Sequence, residues 1–218
     1  MHKVHMRGRS RNYSVGKIIC LGRNYVEHAR ELGNPVPQEP VIFLKPATSI
    51  IRCGERIVIP PYSSECHHEV EMAVLIGSYG RNIEKDKARD LIAGYAVALD
   101  MTLRDVQNRL KKQGLPWEIA KGFDTSCPLS DFTPRDKVTT PERLGIRLSV
   151  NGTLRQEGNT DQMILEPAEI IAHVSKIFTL EEGDIILTGT PAGVGPVQSG
   201  DHLRAEIDQL GSLEVSVR

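Results

Sequence analysis

Three carboxylates in two short stretches have the spacing to share a cation. In "SSECHHEVEMAVLIG", residues 63–77, two histidines and two glutamates run into an unbroken apolar stretch. If that stretch is a strand, its side chains alternate, so His67, Glu69 and Glu71 share one face with Ala73 and Leu75, while His68 and Val70 share the other with Met72 and Val74. A carboxylate beside a buried run must be paired, protonated or bound to a cation, because an unpaired buried charge is costly. A second segment, "IAGYAVALD", ends in Asp100 after its own apolar run. Counting back by two from Asp100 meets Ala98, Ala96 and Gly94, a face of very small side chains that leaves room for something to bind. Converging from two strand ends, Glu69, Glu71 and Asp100 would form an all-oxygen site suited to Mg²⁺, with Mn²⁺ or Ca²⁺ as alternatives and open positions for water and substrate. His67 and His68 could in principle serve zinc. Their plainer roles are that His67 orients a glutamate and His68 sits satisfied on the opposite face.

Other stretches carry groups that could act beside such a site. "GRNYVEHARELGNP" reads as a short helix, with Asn24 as N-cap, Glu27 as its capping-box partner, Gly33 at the C-terminal stop and Pro35 beyond. His28 and Glu31 are then neighbours on one face, where a carboxylate can orient an imidazole or raise its basicity; a surface pair is the plainer reading. After Asp100, "MTLRDVQNRLKKQG" has Thr102 and Asp105 in capping-box spacing and an apolar stripe of Leu103, Val106 and Leu110. Arg104 and Gln107 lie off that stripe, either reaching an anionic substrate or forming a solvated helix face. "DIILTGTPAGVGPV" is a strand followed by a glycine-rich turn that can present backbone N–H groups and a hydroxyl to a carboxylate; it matches no nucleotide-binding pattern.

The elements that must position these groups are mostly strands. Nine runs read as strands: "KIICLG", "VIFLKP", "ERIVIP", "EMAVLIG", "GYAVALD", "IRLSVNG", "DIILTG", "HLRAEI" and "SLEVSV". Helical patterns cover residues 24–32, 85–92, 103–112 and 167–178. The fold class is therefore α+β and strand-rich, without the regular alternation of a doubly wound sheet. Asn151-Gly152 between extended segments signals a hairpin.

At 218 residues, 39% hydrophobic and 25% charged, the chain can bury a sizeable core. A formal charge of −1 gives no global electrostatic reason to bind nucleic acid or an anionic membrane, and no apolar run is long enough for a membrane span. Cys20, Cys53, Cys66 and Cys127 form no C-x-x-C pair and fit reduced thiols in a cytoplasmic protein. Residues 1–26 are basic and free of acids, a feature of transit peptides, but Val4, Met6, Tyr13 and Val15 look packable and favour an N-terminal strand or hairpin.

Taken together and in order, "GRNY" with "HARE", "EPVIFLKP", "HHEVEMAVLIG", "GYAVALDMTLRDVQ", "KGFDTSCPLS" and "LTGTPAGVGPV" resemble the fumarylacetoacetate hydrolase family, in particular its small single-domain acylpyruvases and oxaloacetate decarboxylases. The motifs span residues 17–200, nearly the whole chain. The resemblance implies that Glu69, Glu71 and Asp100 bind Mg²⁺ or Mn²⁺, that His28 and Glu31 are the dyad handling a proton or activating water, and that Lys121 is an active-site lysine. It further implies that Arg104, Gln107, Thr190 and, more weakly, Arg23 contact the substrate. The implied fold is a mixed β-sheet roll with peripheral helices, residues 1–60 packing on a 61–218 core, usually as a homodimer. The implied reaction is cleavage of the C3–C4 bond of acylpyruvates, such as acetylpyruvate or fumarylpyruvate, or of oxaloacetate, through a pyruvate enolate. Proton transfer at C3 would instead make the same groups an oxaloacetate tautomerase or a 2-hydroxymuconate-type isomerase. A non-catalytic protein stapled by its cation and a zinc hydrolase using His67 and His68 are the further alternatives.

Overall fold

The computed structural model describes residues 2–31 and 39–218. Its longest buried strands, Val70–Ile76 and Ile92–Leu99, pair antiparallel with Glu71 opposite Ala98 and Ala73 opposite Ala96. Both are covered on both faces, which is why they read as near-continuous apolar runs. They are the centre of a mixed sheet in the order Val41–Lys45, Ile18–Gly22, Ile185–Leu187, Val70–Ile76, Ile92–Leu99, Cys127–Leu129, Ile50–Arg52. A five-stranded sheet runs Thr153–Asn159, Gly145–Val150, His202–Ile207, Gly211–Val217, Arg56–Ile57. Its first hairpin turns at Asn151 and Gly152, both left-handed at φ 51° and 77°, the geometry that the Asn-Gly signal specifies. A small third sheet, Thr102–Leu103, Cys66–His68 and Gly195–Val197, forms one rim of the site.

The central sheet separates two cores. Met72, Val74 and Ile76 face a core shared with the five-stranded sheet and with Ile170, Ile171 and Val174 of the helix Pro167–Ile177. Ala73, Leu75, Ala96 and Ala98 face the other, where Val4, Met6, Tyr13 and Val15 pack from the hairpin Lys3–His5 with Asn12–Ser14. The small face below Asp100 is thus not open space. A Cβ built on Gly94 would stand 2.5 Å from the Thr133 carbonyl oxygen and 3.2 Å from Met6 Sδ, so the small residues admit neighbouring chain, not a ligand.

Four expected helices are present as Val26–Glu31, Lys85–Ala88 with a following 3-10 turn, Arg104–Gln113 and Pro167–Ile177; Glu118–Lys121 is an additional short one. The second is shorter than expected because Ile92 is drawn into the central sheet. Neither expected capping box forms at the site helices. Asn24 is held by Leu165 and Thr188, and Thr102 by Asp100 and Lys121, while Asp105 accepts from Ser63 and Ser64. The stop signals Gly33 and Pro35 lie outside the described residues. No described helix is long and apolar enough to cross a membrane.

Candidate active site

Glu69 sits at the break between the strands Cys66–His68 and Val70–Ile76, and Asp100 follows the strand Ile92–Leu99. The Asp100 N–H donates to the Glu69 carbonyl at 2.8 Å, which ties the two strand ends together. One carboxylate oxygen each from Glu69, Glu71 and Asp100 lies within 4.8 Å of the others, and all three residues are buried.

Lys121 stands between them. From the end of the helix Glu118–Lys121, its ammonium donates to Glu69 Oε2 at 2.8 Å, Asp100 Oδ2 at 2.6 Å and Thr102 Oγ1 at 2.6 Å. All three protons are thereby taken by the protein, so Lys121 braces two carboxylates in this arrangement. Burial alone would lower its pKa, but Asp100 and Glu69 outweigh burial and raise it. Arg104, at the start of the helix Arg104–Gln113, donates to Glu69 Oε1 and to Gln107 Oε1 at 2.7 Å; its own Nε is buried without a partner among the described residues.

Lys45 was missed by the sequence reading. It is 1% exposed, lies 2.8 Å from Asp100 Oδ1, and donates to the backbone oxygens of Lys121 and Ser126. A signal existed, because alternation along Val41–Lys45 places Lys45 on the face of buried Phe43. A second missed residue is Gln156. Its Oε1 accepts from His68 Nδ1 at 2.9 Å and from the Val70 N–H at 3.1 Å, and its Nε2 donates to Thr190 Oγ1 at 2.8 Å. His68 is therefore satisfied away from the cluster, as its plainer role requires. His67 donates from Nε2 to Glu65 at 2.9 Å, not to a cluster glutamate, and neither histidine joins the carboxylates.

Charge is unevenly distributed over the three acids. Burial raises Glu69, yet Lys121 and Arg104, with His28, outweigh it and hold that carboxyl well below the usual range. Glu71 goes the other way: burial, then Asp100 and Glu69, push it well above. Glu71 makes no ion pair among the described residues and receives one hydrogen bond, from the Gly189 N–H at 2.6 Å. Asp100 Oδ1, beside Lys45, is buried without hydrogen-bond geometry to any partner among the described residues. An all-oxygen cluster with one uncompensated acid and an orphaned oxygen fits a hard divalent cation, which Glu69, Glu71 and Asp100 could hold.

The glycine-rich turn serves the protein's own carboxylates. Gly189 hydrogen-bonds Glu71, and the Gly193 N–H reaches the Glu31 carboxylate at 3.0 and 3.2 Å. Gly193 has φ +95°, and a Cβ there would lie 2.3 Å from the Arg155 carbonyl oxygen, so this approach needs glycine. Next to Gly189, Thr190 is buried, accepts from Gln156 and keeps its own hydroxyl proton uncommitted. His28 is 4% exposed on the helix Val26–Glu31, with Nδ1 3.5 Å from Glu31 Oε2 and without a hydrogen bond among the described residues. Burial lowers its pKa against the pull of Glu69 and Glu31, leaving a neutral imidazole at neutral pH. Arg23, half-buried at φ 61°, makes no ion pair or hydrogen bond among the described residues.

A family model described as fumarylacetoacetate (FAA) hydrolase C-terminal matches residues 17–218. The mitochondrial oxaloacetate tautomerase FAHD1 of Bos taurus is 51% identical over 209 residues, covering 95% of this chain and 95% of that one. The mitochondrial oxaloacetate decarboxylase of Dictyostelium discoideum is 49% identical over 195 residues, 89% of each chain. The crystal structure of fumarylpyruvate hydrolase from Pseudomonas aeruginosa in complex with Mn²⁺ and pyruvate matches at a TM-score of 0.96 and 38% identity, covering 99% of this chain and 95% of that one.

Proposed function

The chain belongs to the fumarylacetoacetate hydrolase family, and from that premise we propose that it is a divalent-cation-dependent enzyme interconverting the keto and enol forms of oxaloacetate. The observation that carries this reading is the buried cluster of Glu69, Glu71 and Asp100, one oxygen of each within 4.8 Å of the others, together with the buried imidazole of His28 3.5 Å from Glu31 Oε2. Identity of 51% to an oxaloacetate tautomerase over nearly the whole chain supports the choice of substrate. The sequence reading puts C–C cleavage ahead of isomerisation; on the strength of that identity we order them the other way.

Glu69, Glu71 and Asp100 would hold Mg²⁺ or Mn²⁺. Bound there, the cation would polarise the 2-oxo group of a 2-oxo acid and so acidify its C3 protons. The remaining work falls to the chain's own residues. His28 accepts a proton from C3, Glu31 steadies the imidazolium as it forms, and the imidazolium then gives the proton to the C2 oxygen, which completes the enol and restores the base. Lys121 and Lys45 fix the carboxylates. Arg104 through its free Nε, Gln107 and the Thr190 hydroxyl orient the substrate's oxygens.

C–C cleavage is the second reading, favoured by the likeness to a decarboxylase and to a hydrolase crystallised with pyruvate. In it oxaloacetate loses CO₂, or His28 deprotonates a water that attacks C4 of an acylpyruvate.

Proton NMR of the Mg²⁺-loaded protein with oxaloacetate and, separately, acetylpyruvate, each against an EDTA control, separates the two. Metal-dependent acceleration of keto–enol exchange, lost in Glu69→Ala, is expected. Pyruvate forming in step with CO₂ or acetate would replace the tautomerase reading with cleavage.

A further inference from the structure

The helix Arg104–Gln113 carries Arg104, Gln107 and Lys111 at i, i+3 and i+7, one stripe along its surface. Arg104 and Gln107 are buried at the carboxylate cluster. Lys111 comes two turns later, and helical side chains lean toward the N-terminus, so its ammonium reaches back toward the same place. Aromatic rings link it to the site. Lys111 Nζ stands 5.2 Å from the Trp117 ring centroid, Trp117 packs on Phe43 at 6.1 Å, and Lys121 Nζ is 4.9 Å from the Phe43 ring. One aromatic pair therefore has an ammonium at each end, and one of the two is inside the site.

The two ammonium groups differ in their partners. Lys121, Arg104 and Lys45 are paired with Glu69 and Asp100. Lys111 has neither an ion pair nor a hydrogen bond among the described residues, and Arg23 is in the same position. Half-burial, then repulsion from Arg23, Arg104 and Lys121, bring the Lys111 ammonium down to about 8, with Glu69 pulling the other way. Among the described residues Lys111 is thus a half-buried cation without an anion, whereas the three cations at Glu69 and Asp100 are paired.

We propose that Lys111 binds the carboxylate at the end of the substrate remote from the cation site, so that the enzyme selects a 2-oxo dicarboxylate over a 2-oxo monocarboxylate. The inference rests on the oxaloacetate reading above. A 2-oxo acid gripped by its 1-carboxylate and 2-oxo group presents its other end away from the three acids. In oxaloacetate that end is a second carboxylate, which cannot be buried without a cation; in acetylpyruvate it is a neutral ketone.

Oxaloacetate and pyruvate differ by that one carboxylate, so calorimetric titration of both into Mn²⁺-loaded wild type, Lys111→Met and Lys111→Arg tests the assignment. The methionine keeps the aliphatic stem on Trp117, and melting curves check that each variant folds. Wild type should prefer oxaloacetate, Lys111→Met should weaken oxaloacetate binding about tenfold or more, as expected for loss of a charge-assisted contact, and pyruvate binding should hardly move. Lys111→Arg should retain most of the preference. Equal wild-type affinity for the two ligands would sink the oxaloacetate reading itself. A wild-type preference that survives in Lys111→Met would overturn the Lys111 assignment alone.

Discussion

His28 shows how burial sets chemistry at a single residue. An exposed imidazole titrates near 6.5, and burial pushes His28 below that value although Glu69 and Glu31 oppose it. The base form is therefore present throughout the neutral range, and the acid limb of kcat/KM should lie below 6.5 in a pH–rate profile. The same depression means that the unfolded chain takes up this proton first on acidification, so stability falls as pH drops through that window. His28→Ala should lower turnover by about 10²- to 10⁴-fold and leave Mn²⁺ affinity, read by calorimetry, unchanged; full activity would remove His28 from the mechanism. Glu71 makes a complementary case, since it alone of the three acids touches no cationic side chain among the described residues. Glu71→Gln should leave the metal-free protein at least as stable as wild type. It should also abolish the rise in melting temperature that the proposed site predicts for wild type in Mg²⁺, a gain of about 2.7 kcal/mol at a hundredfold excess over Kd. A variant still stabilised by Mg²⁺ would mean that the cation sits elsewhere.

At the scale of elements, the site is assembled by side chains that tie one segment's backbone to another's. Asn24 donates to the Leu165 carbonyl at 3.0 Å and the Thr188 carbonyl at 2.8 Å, and accepts from the Leu165 N–H at 2.9 Å. It thus fixes the start of the His28 helix against the glycine-rich turn, although its type and spacing advertise a helix cap. The two roles make different predictions. Asn24→Ala should cost about 2 kcal/mol by denaturant unfolding, because buried backbone groups lose their partners, whereas Glu27→Ala, whose exposed carboxylate pairs among the described residues with Arg30, should stay within about 0.5 kcal/mol. Similar losses from both would restore the capping box. Gln156 has the same kind of role, joining His68, the Val70 backbone and Thr190. Nothing in "SVNGTLRQ" marks that glutamine, because its partners come from distant stretches of the chain.

Across the whole molecule, the N-terminal hairpin backs the sheet that carries the acids. Its Met6 fills the space left by Gly94, four pairs of residues along from Glu71–Ala98 in the register. Met6→Ala should therefore cost about 2 kcal/mol in urea unfolding; an unchanged midpoint would mean that the hairpin is peripheral. The sequence by itself determined which side chains leave an element on a common face. Alternation put Glu69 with Glu71, helical spacing put Arg104 with Gln107, Asn151-Gly152 marked its hairpin, and the motifs in order carried the family. Periodicity fixes the direction in which a side chain leaves its own element, and it says nothing of what it meets. That depends on sheet order, in which Ile185–Leu187 is inserted between Ile18–Gly22 and Val70–Ile76, strands far apart in the chain. Only the tertiary structure could therefore bring Lys45 to Asp100, turn Asn24 from a cap into a strut, close the small-residue face with Met6, and stand Lys111 and Lys121 at opposite ends of one aromatic pair.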